Sequence, residues 1–508
     1  MTSAAKIVDL EILAEKAQAY RDQGKRIVLC HGTFDLLHIG HIRHIETART
    51  YGDILFVTIT ADEYVNKGPG RPVFNEHLRA EQLAALACVS YVAINHQITS
   101  ENVIHAIKPH IYVKGSDYKN NEQDVTGNIC REKDAVENHG GRIVYTEDIT
   151  FSSSKLLNDN FEVFPPDTKA YLKNFKKKYS SDDIIGSINA LSGLNVLVVG
   201  DAIVDEYHYT EPMGQTGKYN IMSVKYNNSE QFAGGSIAVA NHIAGLVKEV
   251  TLFTGLGTYD SHETFIRSKL KHNVTPNFQY FKDSPTLVKR RFVDGEMAKL
   301  FEVYYYNDTP VDEALNKEAC QWLKKNLANY DAVVVPDFGN GFITDDMVDV
   351  ICQHARFLAV NTQLNSGNRG YHAISRYPRA DFVSLNEPEI RMATHNRRGD
   401  LEEIAEEVGN MVGARYVAVT RGKLGIDLYD RDEGHVYQTP ALSTKVVDRI
   451  GAGDAFLAYA GVALGGGLDS RLTTFIGATA AALDVQIVCN REPVEPVQVF
   501  KYVTTLLK

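Results

Sequence analysis

"CHGTFDLLHIGH", residues 30–41, decides how the first part of this chain is read. It completes the apolar run "RIVLC" (26–30) and places His38 and His41 three residues apart, with Gly40 between them. A β-rich run that breaks at glycine and resumes with helical spacing predicts a strand-to-helix turn. Helix starts offer unpaired N–H groups and the positive end of a dipole, so a triphosphate can sit there, and Gly32 and Gly40 leave room for its approach. Residues 38 and 41 lie one turn apart and therefore on one side of such a ligand. Imidazoles in that position can stabilise charge that builds on phosphorus during in-line displacement, without a covalent intermediate.

Outward from this turn, "DILFVTIT", "YVAIN", "IYVKG" and "RIVYTED" alternate with helix-like stretches such as "HIRHIETARTYG" and "HLRAEQLAALACV". That alternation predicts a parallel sheet with crossover helices, a doubly wound α/β domain. The texture changes at "DNFEVFPPDTKAYLKNFKKKYSSDD" (159–183), with paired prolines and a basic run read as a solvated face, before "LNVLVVGDAIVDEY" (194–207) starts a fresh strand. The expected order is an N-terminal helical extension (1–24), a first α/β domain (25–160), a linker (161–192) and a second, larger α/β domain (193–508). Within the latter, "YNIMSVKYNNSEQFAGG" (219–235) suits a small side sheet or lid over a site.

The whole composition agrees with this division. A chain of 508 residues is long enough for two or three cores. Acidic residues outnumber basic ones 64 to 53, giving a net charge of −11, which argues against a nucleic-acid or anionic-membrane binder and requires anionic ligands to be met locally. Six cysteines without a C-x-x-C pair predict reduced thiols and no zinc site. Acids interrupt the N-terminal segment and no run approaches about 18 apolar residues, so a cytoplasmic protein with no membrane partner is expected.

Near the far end stands "VVDRIGAGDAFLAYAGVALGGG" (446–467). Gly451 and Gly453 can open a helix with bare N–H groups toward a phosphate. Asp454 falls in its first turn, placed to take a proton from a hydroxyl that attacks that phosphate. The same four residues, "GAGD" (451–454), also suit a plain strand-to-helix turn whose aspartate complements the helix dipole.

The first motif resembles the H-x-G-H nucleotidyltransferases, which include cytidylyltransferases and heptose 1-phosphate adenylyltransferases. "GRPVFNEHLRAEQLAAL", "YVKGSDYK" and "FSSSKLLN" are similar to the adenylyltransferase half of the bacterial heptose enzymes. The resemblance implies a Rossmann-like fold in which Thr33, His38, Gly40 and His41 bind or polarise the phosphates. It further implies that Arg79 neutralises them, that Ser152, Ser153 and Ser154 cap them from a second helix start, and that Lys114 and Asp117 lie near the sugar phosphate or the base. Lys67 and Arg71 are further cations of the right charge. ATP and CTP both remain open as the nucleotide, and Mg²⁺ is expected to enter with it, without a dedicated protein metal cage.

"GDAIVDEY", "FAGGSIAVAN", "VSLNEPEI" and "VTRGKLGI", with the Gly451 motif, resemble the ribokinase (PfkB) sugar kinases. This implies ATP and Mg²⁺ as cofactors and Asp205, Gly234 and Gly235 around the sugar. Asn386 and Glu387 would organise metal and phosphates; Thr420, Arg421 and Gly422 would face the nucleotide; Asp454 would be the base. Three positions depart from the family pattern: Ala238 replaces the asparagine of G-G-x-x-N, Asn361–Gln363 replace a D-P-K-like run, and Ile450 replaces a threonine. Lost polar groups either retune specificity or weaken catalysis. Together the halves resemble the bifunctional heptose 7-phosphate kinase and heptose 1-phosphate adenylyltransferases in reversed order. The implied product is a nucleotide-activated sugar for polysaccharide synthesis, made from small-molecule substrates by a protein that leaves room for a homo-oligomer. The rivals are a CTP-dependent transferase for a polyol or other sugar phosphate, and a second half that acts as a regulatory binding module.

Overall fold

The computed structural model describes residues 2–65, 71–97, 99–115, 128–146, 164–217 and 219–508. Two compact units emerge, Met1–Pro165 with Phe500–Lys508, and Pro166–Val499.

In the first unit, β1 (Ile27–Gly32), β2 (Ile54–Thr60), β3 (Tyr91–Asn95), β4 (Ile111–Gly115) and β5 (Arg142–Thr146) form a parallel sheet in the order β3-β2-β1-β4-β5. Strand β1 alternates its side chains between two buried layers. Val28 and Cys30 pack toward α2 (Ile39–Arg49) and α3 (Glu76–Ala84), while Ile27 and Leu29 pack toward α1 (Leu10–Asp22) and α4 (Glu101–Ile107). Helix α1, expected as an extension, thus buries Leu13 and Ala17 as part of this core. A further helix, α5 (Asn128–Glu137), precedes β5. The order of the strands reverses between β1 and β4, and a crevice at their carboxyl ends is where open α/β sheets bind ligands. Gly32 and Gly115 end those two strands.

In the second unit, residues expected to lie in a linker form α6 (Pro166–Phe175) and α7 (Ser181–Ala190). The reason lies in aromatic residues spaced by four. The Tyr171 hydroxyl meets Thr439 Oγ1 at 2.9 Å, Phe175 stacks on Phe475 with centroids 4.1 Å apart, and Tyr179 donates to Asp469 at 2.7 Å. The lysines 176–178 point to solvent, as a solvated face requires.

The main sheet of this unit is formed by β6 (Asn195–Val199), β9 (Glu249–Tyr259), β10 (Val274–Pro285), β13 (Ala332–Asp337), β14 (Leu358–Thr362), β15 (Phe382–Asn386), β16 (Tyr416–Thr420), β17 (Ile426–Asp430) and β18 (His435–Thr439). Its order is β10-β9-β6-β13-β14-β15-β16-β17-β18, with only the last two strands antiparallel to their neighbours. A separate side sheet, β12-β11-β7-β8, is built from β7 (Ala202–Gln215), β8 (Met222–Gly235), β11 (Val288–Val293) and β12 (Lys299–Tyr305). Helix α8 (Ser236–Ala244) follows β8, and α9 (Glu387–Ala393) follows β15. Helix α10 (Ala452–Gly465) is buried from Asp454 to Leu464, which explains an apolar sequence all the way round it. Helix α11 (Ser470–Asp484) packs beside it. Among the described residues no helix is long and apolar enough to cross a membrane.

Candidate active sites

The first site is assembled within a dozen residues. The chain leaves β1 through Thr33, Phe34 and Leu36, the last two held at φ 48° and 52°, a left-handed conformation that costs non-glycine residues energy. His38 then caps α2, its Nδ1 accepting from Gly40 N at 3.1 Å. The His38 and His41 rings stack with centroids 4.0 Å apart, and Phe34 meets His41 edge-on at 5.4 Å. Burial lowers the pKa of His38, so its imidazole is biased toward the neutral form.

Arg79 is a correction to the expectation that it neutralises phosphates. Its side chain is fully buried in α3, with Nε donating to Phe74 O, one terminal nitrogen to Thr33 O at 2.6 Å, and the other to Thr60 O and Asp62 Oδ1. A guanidinium has five N–H donors, and four are used here by protein acceptors. Arg79 therefore fixes the carbonyl of Thr33 and so acts on the loop that carries the histidines. Asp35 closes the same loop by accepting from Val73 N and Phe74 N.

Lys114, at the end of β4, is buried and ion-paired to Glu132 Oε2 at 2.7 Å; Glu132 also accepts from Ser100 Oγ. Glu132 is a partner the sequence does not announce, because it arrives from α5. Arg71 lies close enough to Asp35 to feel its charge. Asp117, Ser152, Ser153, Ser154 and Lys67 lie outside the described residues.

The second site is a cavity of about 1170 Å³. Ten of the expected residues line it: Asp205, Gly235, Asn386, Glu387, Thr420, Arg421, Gly422, Gly451, Gly453 and Asp454. Gly234 sits behind Asp205, where a Cβ would overlap the Asp205 carboxylate and displace it from its present position. Gly451, with φ 104°, turns the chain into α10 in a conformation that favours glycine. Asn386 and Thr420 pair across the ends of β15 and β16. The Asn386 side chain and Glu389 form a capping box at α9, and Arg421 joins Asp427 at 2.8 Å and faces Glu387 at 3.7 Å.

Electrostatics single out Asp454. Burial, the Asp205 carboxylate and Glu389 push its pKa up, Lys289 pulls it down, and the result is about 7. Glu389 is likewise pushed up to about 7, by burial. Asp454 lines the cavity, where a perturbed carboxylate marks a candidate functional site, whereas the Glu389 carboxylate accepts from Asn386 N and Leu364 N. Lys289 and Arg291, which carry no motif, come from β11, where Lys289 pairs in register with Asp205. Arg291 forms an ion pair with Asp205 and reaches Glu302 at 3.3 Å. Their signal was the alternation in "VKRRF" (288–292), which puts 289 and 291 on one face of a strand.

Comparison with known proteins agrees with this geometry. Residues 194–494 match the pfkB family of carbohydrate kinases. The chain belongs to the pfkB family. Ahead of the pfkB domain, residues 29–185 match the cytidylyltransferase-like family. The bifunctional protein HldE of Geotalea uraniireducens is 41% identical over 162 residues, which cover 32% of this chain and 31% of that one. HldE of Geobacter metallireducens is 42% identical over 143 residues, 28% of each chain. The chain thus spans about a third of the length of the curated relatives it matches, in its N-terminal part. Phosphofructokinase-2 from Escherichia coli, in complex with substrates and products, superposes with a TM-score of 0.51 at 15% identity, covering 62% of this chain and 100% of that one, which shows the fold.

The departures from the pfkB pattern have local partners. Ile450 joins Tyr207, Phe232, Val293 and Cys489 in an apolar cluster, Asn361 donates to Ser384 O at 2.7 Å, and Ala238 is buried in α8.

Proposed function

We propose that this chain phosphorylates a sugar or sugar phosphate in its second unit and, in its first, couples a sugar phosphate to a nucleoside monophosphate with release of pyrophosphate. The product is a nucleotide-activated sugar, most simply an ADP-heptose. One observation carries this reading: each unit ends a strand or turn at a helix start, with a titratable side chain in the first helical turn, His41 in α2 and Asp454 in α10.

In the kinase step, Asp454 accepts the proton of a substrate hydroxyl, whose oxygen attacks the γ-phosphorus of ATP while the bond to the β-phosphate oxygen breaks and ADP departs. A carboxyl group with pKa about 7 is suited to proton transfer near neutral pH. Asp205 orients the sugar, and Lys289 with Arg291 beside it favours an anionic one, a sugar phosphate. Asn386 and Glu387 stand where they could hold Mg²⁺, which supplies charge neutralisation on the phosphates when bound. In the transferase step, a phosphate oxygen of the sugar phosphate attacks the α-phosphorus and pyrophosphate leaves. The amide end of α2, apart from Gly40 N, which donates to His38 Nδ1, and the stacked imidazoles donate to the oxygens on which charge accumulates.

Pyrophosphate release with heptose 1-phosphate, compared between ATP and CTP, tests the transferase, with His41→Ala as the blank. Release with ATP supports heptose activation; release with CTP alone, or only with another phosphate, replaces it with the cytidylyltransferase reading. Asp454→Asn tests the kinase. It abolishes ADP formation if the unit is catalytic and changes only binding if the unit is a sensor.

A further inference from the structure

Asp448 stands three residues before Gly451, and its carboxylate is nearly completely buried. It accepts from Arg449 N at 2.7 Å and Ile450 N at 3.2 Å, which sets the turn into α10, and from Cys489 N at 3.3 Å. Two further partners come from the side sheet. The Tyr207 hydroxyl of β7 donates at 2.6 Å, and the Lys299 ammonium, at the start of β12, lies at 2.7 Å. Burial alone would raise the Asp448 pKa; hydrogen bonds from Lys299 and Tyr207 outweigh it and hold the carboxyl below its usual value.

The strand geometry links this hub to the sugar end of the cavity. Residues 205 and 207 share one face of β7, opposite Lys289 and Arg291 of β11, while Val293 of β11 pairs with Lys299. The residue expected to hold the sugar and the residues that hold Asp448 therefore belong to one face of one small sheet. The Ile450 side chain packs into the same sheet through Tyr207, Phe232 and Val293.

Resting on the kinase reading, we propose that Lys299 is a positioning residue: with Tyr207 it fixes Asp448, and through it the Gly451 turn that receives the nucleotide phosphates. The charge matters here as well as the packing. A buried carboxylate that receives two backbone N–H groups holds them in one direction, and an ammonium beside it keeps that carboxylate ionised.

The experiment is calorimetric titration of the full chain with Mg²⁺ and the non-hydrolysable ATP analogue AMP-PNP, comparing the parent with Lys299→Ala and Lys299→Arg. Lys299→Ala should bind about tenfold more weakly, the low end of the scale for losing one hydrogen bond to a charged group. Lys299→Arg should bind nearly as the parent does. Millimolar propylammonium should restore much of the loss in Lys299→Ala and leave the parent unchanged. Lys299→Arg should melt as the parent does, and the lower melting temperature expected of Lys299→Ala, which leaves the 2%-exposed Asp448 carboxylate without its cation, should be recovered with propylammonium. Parent-like binding by Lys299→Ala overturns the proposal, as does a loss that neither arginine nor propylammonium repairs, because that pattern belongs to packing alone. A parent that fails to bind AMP-PNP overturns the kinase reading and this proposal with it.

Discussion

The two helix starts, at α2 and α10, are assembled from opposite materials. At α2 the residues lie within one short segment, and two of the cations expected there, Arg79 and Lys114, are committed to protein oxygens. At α10 the groups arrive from strands as distant as β7 and β11 and converge on a deep cavity, where burial raises carboxylate pKa values. A compact motif fixes one site, while the other exists only once the sheets are folded.

The sharpest way to break this comparison is Asp454→Asn. Loss of a general base should reduce ADP formation by about 10³–10⁴-fold. The same change should make the second unit more stable at high pH. Asp454 has an ordinary pKa of 3.8 and a folded value of about 7, so from about pH 4 to 7 the folded protein keeps a proton that the unfolded chain releases. Stability contributed by this group is therefore present below pH 4 and lost as pH rises through 7. The melting temperature of Asp454→Asn should exceed that of the parent at pH 8 and converge with it near pH 4. An equal offset at both pH values would mean that the carboxyl is not perturbed. In the parent, kcat/KM for ADP formation should rise with pH to a plateau above 7.

At the other helix start, His41→Ala should lower pyrophosphate release by about 10²–10³-fold, the scale for one donor that acts on developing charge. The loss should fall on kcat more than on KM. A mutant that loses only affinity would make His41 a binding group, and the two sites would then differ in kind.

These contrasts also explain what could be read in the sequence. The strand-to-helix turns at 32–41 and 448–454 were legible because glycine, a polar first turn and apolar runs leave a local pattern. Asp205, Asn386 and Thr420 could be located through short motifs, and they do line one cavity. The alternation in "VKRRF" put Lys289 and Arg291 on one face but did not tell which way that face looks, since a basic residue on a half-polar strand reads as solvent-facing until the opposing sheet is known. Arg79 misled for a related reason: a cation in a phosphate-binding segment has the charge of a ligand-binding group, and only its burial shows that backbone carbonyls have claimed it. The helices at 166–190 were hidden by prolines and lysines, although aromatic residues at 171, 175 and 179 already shared a helical face.

Arg79→Met tests that reassignment. Removing the guanidinium leaves the carbonyls of Thr33, Phe74 and Thr60 and the Asp62 carboxylate without this donor. Leaving buried acceptors without their donor costs about 1–3 kcal/mol each, so the first unit should melt far earlier than in the parent. A variant with the parent's melting curve but much weaker nucleotide binding would return Arg79 to the phosphates.

The smallest effect is expected at Ile450, and it separates a retuned kinase from an impaired one. Ile450→Thr restores the hydroxyl of the pfkB pattern beside the Gly451 turn, at the expense of a side chain packed on Tyr207, Phe232, Val293 and Cys489. Trading a partly buried isoleucine for threonine should cost about 1 kcal/mol, seen as a melting temperature lower by a few degrees. The turn itself is held through Asp448, whose partners are backbone amides, Tyr207 and Lys299. ADP formation should therefore stay within about threefold of the parent, well under the 1.4 kcal/mol that a tenfold change represents. A large gain in turnover would show instead that the missing hydroxyl limits catalysis, and that this pocket lost activity when isoleucine joined the turn to the side sheet.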